Sequence, residues 1–251
     1  MVRLLDAATL FGSDRAKPAV RQVYGVSGTG KTVFLRESLR AAARSADFGP
    51  KHRFIVFDIK HEGYETLAPV SRTVNEALRA LNKERVAVIH PSIETADDEL
   101  DDLIGWMFDM ADHDPEFSGT LIIEESSTFI GSSLGAIPAS VKRFATQGRS
   151  LGLSLLLVNQ RALSNKWTDT QSSSITCFRL AYPDRDLLRK RWGINADTMD
   201  DTLKGKKFSF AHLDLESLDL TYFSPITIPK NPTPVVVRKR GITSLFRGFM
   251  D

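Results

Sequence analysis

The chain has 251 residues, 42% of them hydrophobic, and a formal net charge of +2. This suffices for one α/β domain with a sizeable core, and it excludes overall charge as a sign of nucleic-acid binding, which must come from a local patch. A single cysteine, Cys177, excludes an internal disulfide; with no signal-peptide pattern and no bilayer-length apolar run, the expectation is a soluble, intracellular protein.

Residues 1–19 read as a mixed lead-in, with a weak helical turn around Leu4 to Leu10 and an end near Pro18. Val20 to Val26 is a predicted strand and Thr32 to Ala43 a predicted helix. Between them stands G-V-S-G-T-G-K-T, comprising Gly25, Val26, Ser27, Gly28, Thr29, Gly30, Lys31 and Thr32, with Val33 next. Strand, glycine loop and helix are the context that a phosphate-binding loop requires. The glycines let successive amides turn inward to phosphate oxygens, and the following helix adds its positive end. Lys31 is the candidate partner of the β- and γ-phosphates, and the Thr32 hydroxyl the candidate ligand of Mg²⁺. The expected cofactors are ATP and Mg²⁺.

Beyond the loop, strands are predicted at Phe54 to Ile59, Val86 to His90, Leu121 to Ile123, Leu153 to Val158 and Ile175 to Leu180. Helices are predicted at Val74 to Leu81, Asp97 to Met110, Pro138 to Ser150 and Asp184 to Trp192, the last ending at Gly193. Phe208 to His212 and Leu220 to Phe223 are expected to finish the fold as a hairpin edge. Alternating β and α segments with near-continuous apolar strands indicate a mostly parallel central sheet with helices on both faces. The expected division is a lead-in over 1–19, one domain over 20–228 and a basic tail over 229–251. The tail reads either as solvated chain or as an arm for an acidic partner, a neighbouring subunit or nucleic acid.

The strand L-I-I-E-E ends in Glu124 and Glu125. Two acids directly after a buried strand are poor core residues, and a phosphate loop needs a carboxylate there. Glu124 is the candidate for the Mg²⁺ shell, one methylene longer than the aspartate more usual at that place. Glu125 is the candidate to activate water. Gln160, beside Asn159 at the tip of a later strand, is positioned to meet the γ-phosphate or the lytic water. Arg149, before that strand, is badly placed to act in cis and is the candidate to reach a neighbour's nucleotide in trans; Arg143, Arg161 and Arg179 compete for the role.

Together these segments resemble the FtsK–HerA superfamily of motors, over roughly residues 20 to 225. The likeness is carried by G-V-S-G-T-G-K-T, by I-V-F-D-I-K-H-E-G with Asp58, Lys60 and Gly63, by L-I-I-E-E, and by G-R-S-L-G-L-S-L-L-L-V-N-Q-R. C-F-R-L followed by D-R-D-L-L resembles the family's C-terminal portion. The resemblance implies a RecA-like (ASCE) P-loop NTPase fold and ATP hydrolysis coupled to movement of double-stranded DNA. At this length it is most similar to the genome-packaging ATPases of membrane-containing double-jelly-roll viruses. Those imply a homohexameric ring, contacts with capsid-vertex or membrane proteins, and a place in host cytoplasm and virion. Gly131 to Pro138 is then a candidate channel loop, with Lys142 and Arg143 next to it, or else a plain connection.

A filamentous-phage extrusion ATPase or a conjugation-type pump would share these motifs. A regulatory GTPase would need N-K-x-D, whereas Asn165-Lys166-Trp167-Thr168 lacks the carboxylate. A nucleotide kinase would show lid arginines and would not need Glu125.

Overall fold

The computed structural model describes residues 5–12, 18–131, 136–162, 165–195, 197–198, 201 and 208–223. The expected boundary at residue 229 and the basic tail lie outside them, as do residues 132–135 of the candidate channel loop.

Among the described residues nine strands form one sheet: β1 (Val20–Tyr24), β2 (His52–Asp58), β3 (Val70–Ser71), β4 (Val86–Ile89), β5 (Ser118–Glu124), β6 (Leu153–Asn159), β7 (Ser172–Cys177), β8 (Phe210–Asp214) and β9 (Leu220–Phe223). Their order is β3-β4-β2-β5-β6-β1-β7-β8-β9. All neighbours from β3 to β7 pair in parallel, and the β7–β8 and β8–β9 pairs are antiparallel. The expected hairpin edge is therefore present, its first strand running from Phe210 to Asp214 rather than from Phe208 to His212.

The period of two decides which side chain meets which layer. On β2, Phe54 and Val56 enter one cluster with Phe34, Leu35 and Leu39 of α2 (Lys31–Ala42). Ile55 and Phe57 face the other way, into a cluster with α3 (Val74–Leu81), α4 (Ala96–His113) and α5 (Ala139–Gln147). Helices thus cover both faces, which is why the central strands read as unbroken apolar runs. The lead-in helix α1 (Ala7–Phe11) also packs into this core: Leu10 and Phe11 are buried, and the Phe11 ring meets Phe54 edge-on at 5.6 Å. Beyond β6 come α6 (Lys166–Gln171) and α7 (Tyr182–Trp192), the latter capped by Gly193 at φ 64°.

Some boundaries differ from the sequence reading. The helix expected to reach Ser150 stops at Gln147 and passes into a 3-10 turn over Gly148–Leu151. The seventh strand lies earlier than expected, because Ser172 pairs with Val20 of β1 and Ser173, at a register shift, donates its hydroxyl to the Val20 carbonyl, although both look like loop. The short β3 and α6 carry no apolar period long enough to read.

Candidate nucleotide site

The parallel strands all end at one edge, and the loops leaving β1, β2, β5 and β6 meet there. β6 lies between β1, which feeds the glycine loop, and β5, which ends in the acidic pair. The register sets the tips level: Tyr24 faces Asn159 across β1–β6, and Asp58 faces Glu124 across β2–β5.

The loop after β1 is built for close backbone approach. Gly28 and Gly30 have φ of 75° and 105°, values a side chain disfavours. Gly30 then starts α2, whose first residues are Lys31, Thr32 and Val33. The Thr29 hydroxyl donates to the Val26 carbonyl at 2.7 Å, closing the turn. Lys31 is buried, and its ammonium donates to the Gly25 carbonyl at 2.6 Å. Burial holds its pKa below the ordinary lysine value, while Glu124, Glu62 and Glu125 pull it back up. A cavity of about 230 Å³ lies against Ser27, Gly28, Thr32, Val33, Gln160 and Phe208. This places the loop residues and Gln160 around one space.

The two acids differ sharply. Glu124, the last residue of β5, is 4% exposed and accepts a hydrogen bond from the buried Tyr64 hydroxyl. Burial pushes its carboxyl up to about 7, against the opposing pull of Tyr64. Glu125 sits one residue on, with φ 48° and ψ 50°, a left-handed conformation that non-glycine residues adopt at a cost. That twist turns it away from the direction a continuing strand would give. Its Oε2 lies 2.9 Å from Lys60 Nζ, and its Oε1 accepts from the Ser127 hydroxyl at 3.1 Å. Asn159 joins the neighbouring tips, its side-chain oxygen accepting from the Ser127 amide at 2.7 Å.

The turn after β2 completes the edge. Asp58 is fully buried and caps this turn, accepting from the amides of Lys60 at 3.1 Å and Glu62 at 2.7 Å. His90 Nε2 lies 3.2 Å from the same carboxyl, and the His61 ring stacks on His90 at 4.4 Å. The capped turn carries Lys60 to Glu125 and Glu62 to Thr32, whose hydroxyl donates to Glu62 Oε2 at 3.3 Å. Thr32 is hydrogen-bonded to Glu62, the charges of Glu62 and Glu124 both act on Lys31, and hard oxygen donors of this kind suit Mg²⁺. These residues therefore fit the ion that the loop implies.

No family model matches the chain, and no curated protein matches it. Solved structures do. The genome-packaging NTPase B204 of Sulfolobus turreted icosahedral virus 2, in complex with AMPPCP, aligns with a TM-score of 0.66 at 16% identity, over 84% of this chain and 99% of that one. The cytoplasmic domain of the type VII secretion ATPase EccC from Thermomonospora curvata aligns at 0.57 and 19% identity, over 88% of this chain and 30% of that one. The chain has the P-loop NTPase fold that these structures share. The DNA-packaging ATPase B204 from Sulfolobus turreted icosahedral virus shares it, with a TM-score of 0.65 at 16% identity over 84% and 99% of the two chains.

Within this P-loop fold the arginines fall apart from one another. Arg149, exposed in the turn before β6, lines a cavity of about 410 Å³ with Arg21, Ser173, His212 and Asp214, at the end of the sheet opposite the loop. Arg143 lies over the Phe108 ring at 3.9 Å, and Arg161 pairs with Asp184 at 3.5 Å. Arg179 is exposed after β7, and its carbonyl accepts from the Val26 amide. The sequence reading passed over Glu62, Tyr64 and Phe208. Glu62 stands in the I-V-F-D-I-K-H-E-G run already singled out and Tyr64 directly follows it; Phe208 gave no local signal.

Proposed function

We propose that the chain is an ATP-driven translocase that packages double-stranded DNA into a preformed capsid, working as a homohexameric ring in the host cytoplasm and at the virion's packaging vertex. One observation carries this: the phosphate loop, the acidic pair and Gln160 share one edge of the sheet, while Arg149 lies at the other. A site divided this way is completed by a neighbouring copy. The likeness to B204, described as a genome-packaging NTPase, supports the substrate.

In this reading residues 20–228 form the motor. The loop amides and Lys31 bind the polyphosphate. Thr32 and Glu124 would hold Mg²⁺, in part through water, and the ion would supply neutralisation of phosphate charge there. Glu125 leaves Lys60 and takes a proton from the water that attacks the γ-phosphate, giving ADP and phosphate. Gln160 senses loss of that phosphate and passes the change to the channel loops at 131–138. Arg149 of one subunit stabilises charge on the nucleotide held by the next.

ATP turnover measured with and without double-stranded DNA, beside a mass measurement with nucleotide bound, tests the reading. Stimulation by DNA in a ring supports it, with DNA binding that weakens steeply with salt and ignores sequence. Phosphorylation of free nucleotides by a monomer overturns it. The shared fold of the secretion ATPase EccC supports a second reading, an extrusion or conjugation-type pump. That reading predicts activity dependent on a membrane partner rather than on a capsid.

A further inference from the structure

The nucleotide cavity has one wall that the chemistry above does not use. Phe208 lies two residues before β8, and β8 runs antiparallel to β7. Its first residues therefore return to the edge where the phosphate loop lies. The backbone of Phe208 is left-handed, φ 69°, which is a genuine outlier for a bulky residue and persists only where the surroundings require it. The half-buried ring packs onto Gly30 so closely that a Cβ added there would come within 2.1 Å of Phe208 Cδ1. Gly30 thus serves two needs, a left-handed turn and room for an aromatic face. Val33, apolar and half-buried, lines the same cavity. The rest of the lining is largely polar, with Ser27, Lys31, Thr32 and Gln160, so the apolar pair offers the cavity a different chemistry.

We infer that Phe208 is the platform on which the purine base of the bound nucleotide stacks, with Val33 as the facing apolar contact. This rests on the nucleotide reading of the cavity. A π-face accepts any base and reads no hydrogen-bond edge, so the subsite takes adenine and guanine alike.

The test is calorimetry of the full chain with Mg·ATP, Mg·GTP and Mg·tripolyphosphate, a probe with phosphates and no base. Phe208→Ala is expected to weaken ATP and GTP equally, by roughly ten-fold, and to leave tripolyphosphate unchanged. Phe208→Trp is expected to keep ATP affinity and to add an indole signal that ATP changes and tripolyphosphate does not, read against the wild type with its three tryptophans. Should Phe208→Ala fail to fold, that emission difference carries the test by itself. Equal weakening of ATP and tripolyphosphate would show that the ring only props the loop, and an unchanged ATP affinity would remove the base contact; either overturns the inference. Wild-type protein that binds neither ATP nor tripolyphosphate overturns the nucleotide site itself, a different failure.

Discussion

Lys60 Nζ lies 2.9 Å from Glu125 Oε2, so the acid proposed to activate water is paired with a cation from the neighbouring strand's loop. Ser127 occupies the other carboxylate oxygen. Glu125 must therefore give up a partner before it meets water. Lys60 is 38% exposed, and pairs of that kind are worth about 0.2–1 kcal/mol. Lys60→Met should raise turnover without DNA by about two- to five-fold and narrow the stimulation by DNA. Steady-state ATPase assays with and without DNA read both. Glu125→Gln should still bind ATP but turn over about 10²–10⁴-fold more slowly. A fall in turnover on removing Lys60 would mean that the lysine assists the reaction rather than restraining it.

Gly30 combines φ 105° with the Phe208 ring against its missing side chain. Gly30→Ala must accept a left-handed conformation, at about 1–2 kcal/mol, and must displace the ring. Chemical denaturation should show a loss of at least that size, and ATP affinity should fall with it. A variant of unchanged stability and affinity would mean that the turn relaxes freely.

Much of this edge was legible because its signals are local. The phosphate loop, Glu124, Glu125 and Gln160 each stand at the end of an apolar strand, and a parallel sheet collects such ends on one side. Partners that arrive from elsewhere in the chain were not legible. Tyr64 reaches Glu124, and Phe208 reaches Gly30, across stretches that no short pattern spans. The missed strand ends have the same cause. His52 and Arg53 look like loop but are buried in β2, because His52 meets the hydroxyls of Ser118 and Thr120 on the adjacent strand. Ser172 and Ser173 open β7 because their hydroxyls bond Thr168 and Val20 carbonyls.

Arg149 shares its cavity with Arg21, whose pKa is held down to about 10, chiefly by burial and then by the positive charge of Arg149. Asp6, Asp214 and Glu216 line the same cavity, so Arg149 is an exposed cation on a surface of mixed charge. Arg149→Ala alone should lower turnover by about 10³-fold or more if it completes a neighbour's site. Rings mixed from Arg149→Ala and Glu125→Gln subunits should regain activity, because some interfaces then carry both intact residues. Titrating one variant into the other and following phosphate release measures this. Mixtures that stay as inactive as the parents would assign Arg149 a role within its own subunit or in folding.

His52 supplies a pH signature independent of the nucleotide. Its ring is 1% exposed, with Nδ1 at 2.8 Å from the Ser118 hydroxyl and Nε2 at 3.0 Å from that of Thr120. Burial, aided by Arg85 and Arg53, lowers its pKa from 6.5 to about 3. The unfolded chain therefore binds a proton below 6.5 that the folded chain refuses until about 3, and stability falls as pH drops through that window. At about 1.4 kcal/mol per pH unit, going from pH 7 to pH 5 should cost about 2 kcal/mol at this residue. His52→Gln retains hydrogen-bonding capacity without the titration. Urea unfolding at both pH values should show a smaller acid loss in His52→Gln than in the wild type, by about that amount. Equal losses in the two proteins would mean that His52 is solvated, or already charged, in the folded state.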